Sequence, residues 1–365
     1  MGIHRDNILI NAVSAPSDMK VRLVDVARQS GVSPSTASRV LNGHTENFTI
    51  RDQVRQRVLA AAEDLGFTPN PFIRAMRAKK TWMVAMLGVR DLGWQTRGTD
   101  ENTINTMIHG LSQAGYEICS TFTKPGRARL DPPLWRVDGC VVISNRSMDD
   151  LKKLDASGIP YVVVNGPCGT HGGSVMADDS RGMSIAVDHL VQLGHRRICY
   201  LNTRYDDQGE PEQPDRQHIS LRSRESAFVK AINERGLDLL EGFNRTDLLA
   251  HQGIELALKQ GATALISYHH VMAVQHLSAL QQAGIHVPQK VSLLCFNDAF
   301  PTAEVFPSLT AIAVPGKAMG ERATDTLLKL MEGQTLAPRE RRVKLEELLI
   351  HRQSTSPPDR DQRSY

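Results

Sequence analysis

The chain lacks several features that would assign it to common protein classes. It contains no run of about 18 apolar residues, so no membrane-spanning helix is expected. The apolar stretch at residues 8–10 is too short for a secretory signal, and we expect a cytoplasmic protein. The five cysteines are odd in number, and no pair has the spacing of metal ligands. We therefore expect reduced, mostly buried thiols.

Motifs of catalysis and cofactor binding are absent as well. The sequence has no Gly-x-Ser-x-Gly elbow, no Gly-x-x-x-x-Gly-Lys-Ser/Thr loop and no Gly-x-Gly-x-x-Gly turn. His269 and His270 are a weak metal site, because adjacent side chains seldom share one ion and no third ligand is evident. We expect no catalytic residue, no metal and no cofactor.

What is present fits a small domain followed by a larger body of two lobes. The length of 365 residues suits that division, and 41% apolar residues can fill the cores. The net charge is only +3, but residues 20–80 contain eleven basic and five acidic side chains, a surplus of six. Positive charge concentrated in this way is typical of a nucleic-acid surface.

Residues 31–43 contain the signals for a short helix with defined ends. Ser33 is a preferred N-cap, because its hydroxyl accepts from an amide of the first turn. Pro34 suits the first helical position, where its missing N–H has no partner to lose. Gly43 is a typical stop.

The two faces of this helix differ in chemistry. One face is apolar, with Ala37, Val40 and Leu41 at helical spacing. The opposite face carries small polar groups, one arginine and no acid: Ser35, Thr36, Ser38, Arg39 and Asn42. Such a face can approach a phosphate backbone and donate hydrogen bonds to base edges.

Two further helices flank this one. An apolar face of Leu23, Val26 and Ala27 precedes it, and Gly31 supplies the left-handed backbone of the connecting turn. A third helix is predicted from apolar residues at Val54, Val58, Ala61, Ala62 and Leu65. The arrangement predicts a helix-turn-helix. The alternative is a helical hairpin that only packs on another part of the protein.

These segments resemble the head of the lactose/galactose-repressor (LacI/GalR) family of bacterial transcription regulators. The matching residues are 23–27, 31–43, 55–62, 65–67 and 69–70, and the resemblance extends more thinly to about residue 357. It implies a homodimer that places two recognition helices in successive major grooves of a pseudo-palindromic duplex. The DNA-binding residues of the head are then Arg22, Ser33, Pro34, Ser35, Thr36, Ser38, Arg39 and Asn42.

Within that set the expected roles differ. Pro34 and Ser35 set base preference, and Arg39 is the best candidate for a guanine contact. Arg22 replaces a usual capping Thr or Ser of the family and reaches a phosphate instead.

Residues 69–81 correspond to the hinge of the family. There the hinge resembles a helix that forms only on DNA, pairs with its dimer mate and inserts an apolar side chain into the minor groove. Met76 occupies the position of that wedge, flanked by Arg74 and Arg77. The alternative is that Met76 packs against the body.

From residue 82 onwards, short β-rich apolar runs alternate with helix-length segments. This alternation predicts parallel sheets with crossover helices and ligand binding at the carboxyl ends of the strands. The body resembles a periplasmic sugar-binding protein, with matching signatures at 178–182, 189–198, 287–288, 307–310 and 350–355. His189 and His195, within one signature, are expected to be structural.

The resemblance also implies an effector cleft. Arg224 matches the family arginine that holds a ligand oxygen, and its planar fork suits vicinal hydroxyls or a carboxylate. Asn297 stands where the family usually has an Asp, and His269 where it has a ligand-contacting Asn. Trp94 is a candidate for stacking on the apolar face of a sugar.

The predicted fold is therefore an all-α helix-turn-helix head and hinge helix, followed by a two-lobed α/β, Rossmann-like effector domain. The predicted segments are a disordered extension 1–20 (with Met19 as an alternative start), the head 21–68, the hinge 69–81, the effector and dimerisation domain 82–355, and a polar tail 356–365. The predicted function is a nucleoid-associated transcriptional regulator, a repressor, whose operator affinity responds to a carbohydrate. The alternative is a solute-binding protein or enzyme on the same scaffold.

Overall fold

The structure is a computed structural model, and its described residues are 21–41, 50–68, 80–88, 99–121, 133, 135–143, 148–203, 219–240, 245 and 247–359. The chain divides into two compact units, Met1–Thr81 and Trp82–Tyr365. We refer to the first as the head and to the second as the body. The predicted extension 1–20 and most of the predicted hinge lie outside the described residues.

The described part of the head consists of three helices: α1 (Leu23–Ser30), α2 (Pro34–Leu41) and α3 (Asp52–Asp64). Gly31 joins the first two with φ +67°, a left-handed backbone that glycine adopts without steric cost. One apolar cluster fills the space between the helices; its buried members are Val26, Ala27, Ala37, Val40, Val58, Ala61 and Ala62. The predicted helix-turn-helix is confirmed.

The body contains two sheets. In chain order its elements are β1 (Met83–Leu87), α4 (Thr99–Gln113), β2 (Glu117–Thr121), β3 (Gly139–Ile143), α5 (Met148–Ser157), β4 (Tyr161–Val164), β5 (Gly173–Ala177), α6 (Asp179–Gln192), β6 (Ile198–Leu201), α7 (Ile219–Glu234), α8 (Ala250–Lys259), β7 (Ala264–Ser267), α9 (His270–Gln282), β8 (Ser292–Phe296), β9 (Thr310–Ala313), α10 (Gly316–Met331), α11 (Pro338–Arg341), β10 (Arg342–Leu345) and β11 (Leu348–Ile350).

The strands of the body form one sheet in each lobe. The order in the first lobe is β10-β5-β4-β3-β1-β2, and every pairing is parallel. In the second lobe the order is β11-β9-β8-β7-β6. The strands β3, β4, β6, β7 and β8 are buried along their whole length, because helices cover both faces of each sheet. Their uninterrupted apolar sequences follow from this burial.

The chain crosses between the lobes three times. It passes from β5 to α6 at Asp178, from β9 to α10 at Pro315, and from β10 to β11 at residues 346–347. Asp178 begins α6, since its carboxylate accepts from the backbone N–H of Arg181 at 3.3 Å. The crossings bring residues from distant parts of the sequence to the space between the lobes.

Two features of the body differ from the prediction. The pairing of β11 with β9 is antiparallel, because the last crossing returns the chain to the second sheet as a short edge strand. The packed chain also extends beyond Thr355: the N–H of Ser356 donates to Ser292 Oγ at 3.0 Å, and the Ser356 carbonyl lies 2.8 Å from His195 Nε2. His195 is buried and its ring lies within hydrogen-bond distance of the Thr263 and Ser292 hydroxyls, as expected of a structural residue. Burial lowers its pKa to about 4.

Candidate nucleic-acid interface and ligand cavity

The start of α2 has the predicted cap. Ser33 Oγ accepts from the backbone N–H of Thr36 at 3.1 Å, and Pro34 is the first helical residue. The Ser33 hydroxyl also lies 2.9 Å from Thr36 Oγ1 and 3.2 Å from Ser35 Oγ. These contacts fix three hydroxyl groups at the N-terminal end of the helix, where amide dipoles favour a phosphate.

Most of the predicted contact residues of α2 reach the surface. Ser33, Pro34 and Ser35 are exposed, and Thr36 and Arg39 are partly exposed. Ser38 differs: only 9% of its surface is accessible. The prediction that Ser38 lies on the exposed face is wrong, because a rotation of about 100° per residue places it beside the apolar stripe that α1 and α3 cover.

The start of α1 leaves an arginine exposed at the surface. The carboxylate of Asp25 accepts from the backbone N–H of Arg22 at 3.0 Å, and this hydrogen bond lowers the pKa of Asp25. The Arg22 guanidinium takes no part in that hydrogen bond, although its Nε lies 3.6 Å from Asp25 Oδ2, and the side chain is 75% exposed. The exposed Arg22 side chain is compatible with the predicted phosphate contact, which remains a prediction.

Five predicted site residues lie outside the described residues: Asn42, Arg74, Met76, Arg77 and Trp94. Their assignments remain predictions.

The body contains a cavity of about 170 Å³ between the carboxyl ends of its two sheets. Residues from both lobes line it: Asn165, Met176, Ala177, Asp179, Ile219, Ser220, Arg224, Tyr268, Asn297 and Val314. This is the position at which parallel α/β sheets bind ligands. Arg224 and Asn297 were predicted to contribute to this site, whereas Asp179, Ser220, Tyr268 and Asn165 were not.

Arg224 is the central charged group of the cavity. It is almost completely buried, and its Nε donates to Asp179 Oδ1 at 2.6 Å. Its Nη1 donates to the Tyr268 carbonyl at 2.8 Å and its Nη2 to Asn297 Oδ1 at 3.1 Å. The guanidinium carbon lies 4.2 Å from the centre of the Phe296 ring. Three of its five N–H groups therefore have protein partners, and its plane is fixed.

A second carboxylate faces Arg224 from the third crossing. Glu347 is fully buried, and its Oε1 lies 3.7 Å from Arg224 Nη2. Neither oxygen of Glu347 has a hydrogen-bond partner. Burial raises the pKa of Glu347 to about 8, although the charge of Arg224 opposes that shift. A Cβ at Gly182 would overlap Glu347 Oε2, so glycine in α6 makes room for the carboxylate.

Two asparagines occupy corresponding positions in the two lobes. Asn165 follows β4 with φ 54°, and Asn297 follows β8 with φ 68°. Each donates its backbone N–H to the neighbouring strand, Asn165 to Val175 at 3.0 Å and Asn297 to Ile312 at 2.9 Å. Asparagine tolerates left-handed backbone better than most residues, and such conformations cluster at ligand sites.

His269 has a different position from the one predicted. It does not line the cavity; its Nδ1 accepts from the backbone N–H of Met272 at 3.1 Å and begins α9. Burial lowers the pKa of His269 to about 3, so the ring is neutral. The match of His269 to a family Asn predicts a direct ligand contact, whereas the ring serves as the N-cap of α9.

The described part of the chain also bears on the presence of metal sites, reactive thiols and membrane-spanning helices. No group of three or more His, Cys, Asp or Glu among those residues could hold a metal ion. All five cysteines are free thiols and four are buried; burial raises the pKa of Cys140 and Cys199 to about 12. Among the described helices, none combines the length and apolarity required to cross a membrane.

Family models match both units of the chain. Residues 22–70 match the model of the bacterial regulatory proteins of the lacI family. Residues 187–355 match that of a periplasmic binding protein-like domain.

Curated relatives cover most of the chain. The chain is 30% identical over 366 residues to the HTH-type transcriptional regulator MalR of Streptomyces coelicolor, covering 93% of this chain and 98% of the relative. It is 26% identical to the HTH-type transcriptional repressor PurR of Photobacterium profundum, over 87% of this chain and 93% of that protein. These relatives are named as regulators, so an enzyme on the bilobed scaffold is not supported.

Solved structures share the fold. The Lac repressor dimer bound to operator and the anti-inducer ONPF has a TM-score of 0.76 and 21% identity, covering 92% of this chain and 99% of that one. A complex of the transcriptional regulator CelR with cellobiose has a TM-score of 0.63 and 22% identity over the same shares.

Proposed function

Since the chain belongs to the lacI family of bacterial regulatory proteins, we propose that it is a sequence-specific transcriptional regulator that binds a pseudo-palindromic operator as a homodimer. The observation that carries this proposal is the exposed N-terminal end of α2. There Ser33, Pro34 and Ser35 form an acid-free surface small enough to enter a major groove.

The residues of the head divide by role. Pro34 and Ser35 set base preference, Arg39 donates to a guanine edge, and Ser33, Thr36 and Arg22 contact the backbone. Asn42 extends the contact surface at the end of the helix. All of these residues except Asn42, which lies outside the described residues, are exposed or partly exposed, and this supports the division.

The hinge deforms the operator in this proposal. Met76 enters the minor groove and partly unstacks one base step, while Arg74 and Arg77 hold the flanking phosphates. Met76→Ala is then expected to reduce the bend angle of the bound operator in a circular-permutation gel. An unchanged angle would remove the wedge and favour packing of Met76 on the body.

The cavity of the body binds the effector. A carbohydrate is the class that we propose, because the matched family model is periplasmic-binding-like and a similar structure contains cellobiose. Arg224 and Asn297 contact the effector, Trp94 stacks on it, and His269 supports the site by fixing the start of α9. Closure or opening of the lobes then shifts the hinge pairing and changes operator affinity. We propose that the protein, when bound to its operator, represses transcription.

The proposal is tested by selecting duplexes from a random pool with the full-length protein, with and without a panel of sugars. We expect a two-fold symmetric site to be enriched and one sugar to weaken its binding. Absence of any enriched site would contradict the DNA-binding function. An enriched site whose binding no sugar affects would contradict only the proposal that the effector is a carbohydrate. A regulator of this kind acts in the bacterial cytoplasm, at the nucleoid.

A further inference from the structure

The charge of the effector cavity is already balanced by the protein. Arg224 carries the positive charge, since Asp179 and Glu347 hold its pKa above its ordinary value against the effect of burial. Asp179 lies at the cavity wall, 2.6 Å from Arg224 Nε, and Glu347 Oε1 lies 3.7 Å from Arg224 Nη2 without lining the cavity. All three side chains are at least nine-tenths buried.

The other titratable groups near Arg224 add no positive charge. Burial lowers the pKa of both His269 and His270, so these rings are neutral at pH 7. Arg352 is held by Asp298 through two hydrogen bonds, at 2.7 and 2.9 Å, and the carboxylate of Asp178 is used by the start of α6. The described charges around the cavity therefore sum to zero or below, whether or not Glu347 is protonated.

We propose that Asp179 and Glu347 act as a charge filter, which restricts the cavity to uncharged polyhydroxyl ligands and rejects phosphorylated or carboxylated ones. The proposal rests on the cavity being the effector site, and it specifies the class of effector.

The physical basis of the filter is the cost of burying an unpaired charge. A phosphate or carboxylate that enters the cavity loses its hydration and needs a cation that is not already neutralised. Arg224 cannot supply that surplus, because Asp179 already balances its charge and the carboxyl of Glu347 lies 3.7 Å away. A neutral hydroxyl needs only a donor or acceptor, and the polar side chains of Arg224 and Asn297 at the cavity wall supply them.

Either carboxylate alone can balance Arg224, which predicts a non-additive response to substitution. Asp179→Asn and Glu347→Gln should each change anion binding little, whereas the double variant leaves one uncompensated positive charge in the cavity. Glu346→Gln is the matched control, because it is the same chemical change one residue away on an exposed side chain.

The experiment uses full-length protein at pH 7 and inorganic phosphate as the probe, with dissociation constants from titration calorimetry. We expect the double variant to bind phosphate at least about tenfold more tightly than the wild-type protein, Glu346→Gln or either single variant. Phosphate binding to the head is the same in all of these proteins, so it cancels in the comparison. Equal phosphate affinity in the folded double variant would overturn the filter.

A second variant covers the case in which an uncompensated buried arginine prevents folding. Ser220→Lys adds a cation at the cavity wall and keeps both carboxylates, and Ser220→Gln is its uncharged control. We expect phosphate to raise the Tm of Ser220→Lys but not that of Ser220→Gln. The same shift in both variants would contradict the proposal.

A sugar panel separates this proposal from the proposed function. If the wild-type protein binds a sugar phosphate more tightly than the parent sugar, the filter is wrong while effector control stands. If no sugar alters DNA binding but the variants gain phosphate affinity, the filter stands and the carbohydrate is wrong.

Discussion

The head and the body use arginine in opposite ways. In the head, the Arg22 side chain is 75% exposed and its positive charge contributes to a local surplus of six. In the body, the Arg224 side chain is 4% exposed, Asp179 balances its charge at 2.6 Å, and the Glu347 carboxyl lies beside it at 3.7 Å. An exposed cation can attract a polyanion at any distance within the screening length, whereas a buried balanced one acts only through directed hydrogen bonds. In the proposed function, the same residue type therefore serves charge attraction in one unit and recognition through directed hydrogen bonds in the other.

The largest expected effect comes from removing the buried arginine. Arg224→Ala leaves Asp179 and Glu347 buried without a cation, and breaking such a cluster costs about 3–5 kcal/mol. We expect the body to lose that much unfolding free energy in urea and the sugar response to disappear, while DNA binding by the folded protein persists. A loss below about 1 kcal/mol would mean that the cluster is not a stabilising unit.

Arg39→Ala tests the head, where we expect an arginine to act on DNA and not on protein stability. We expect operator binding to weaken by roughly 1–3 kcal/mol, with relaxed preference at one base pair and unchanged stability. Arg28→Ala is the control, since it removes an exposed charge at the end of α1. Anisotropy titrations with the selected duplex measure the affinity, and titrations with its single-base variants measure the base preference. Equal weakening on every duplex would refute a base contact for Arg39.

The burial of Glu347 predicts a pH dependence of the body. Its pKa is raised to about 8, so between the ordinary range of a carboxyl and pH 8 the folded state binds a proton that the unfolded state has lost. The protonated Glu347 carboxyl therefore makes its full contribution to the free energy of unfolding at low pH, and this contribution is lost as the pH rises to about 8. Glu347→Gln does not titrate, so its Tm relative to wild type should rise from pH 5 to pH 8.

Glu346→Gln should follow the wild-type protein across the same range, because its side chain is exposed. The buried histidines titrate on the acidic side in all three proteins and cancel in the difference. A constant offset between Glu347→Gln and wild type at every pH would contradict the assignment.

The smallest effect is expected at Arg22. Arg22→Ala keeps the backbone cap from Asp25, so the helix remains, but one phosphate contact is lost. We expect weaker binding on all duplexes alike and a salt slope reduced by about one. Arg245→Ala, an exposed body arginine paired with Asp247, should leave the slope unchanged. If both variants change it equally, Arg22 acts only through net charge.

Local signals explain why the head was well predicted. Ser33, Pro34 and Gly31 specify a cap, a first helical turn and a left-handed turn within a few residues, and no distant contact is needed. Ser38 was placed wrongly because it lies at the border between the polar face and the apolar stripe. There the docking of neighbouring helices decides burial, and a helical repeat alone does not resolve it.

The cavity was predicted only in part, because it depends on contacts between residues that are distant in the sequence. Arg224 and Asn297 were found through their match to family positions, but the partners of Arg224 come from distant parts of the chain. Asp179 follows the first crossing and Glu347 lies on the third, and nothing local links them to Arg224. Acidic residues at the ends of strands that change lobes were the available signal. The cap formed by His269 was missed because histidine is not among the preferred N-cap residues.

The most direct test of the whole account is the affinity of the full-length protein for its selected duplex, measured by anisotropy from about 50 to 200 mM salt against bulk competitor DNA. The account predicts a clear preference for the two-fold symmetric site, a steep fall of affinity with salt, and weakening by an uncharged sugar but not by its phosphate. No preference for any duplex at moderate salt, with or without sugars, would contradict it.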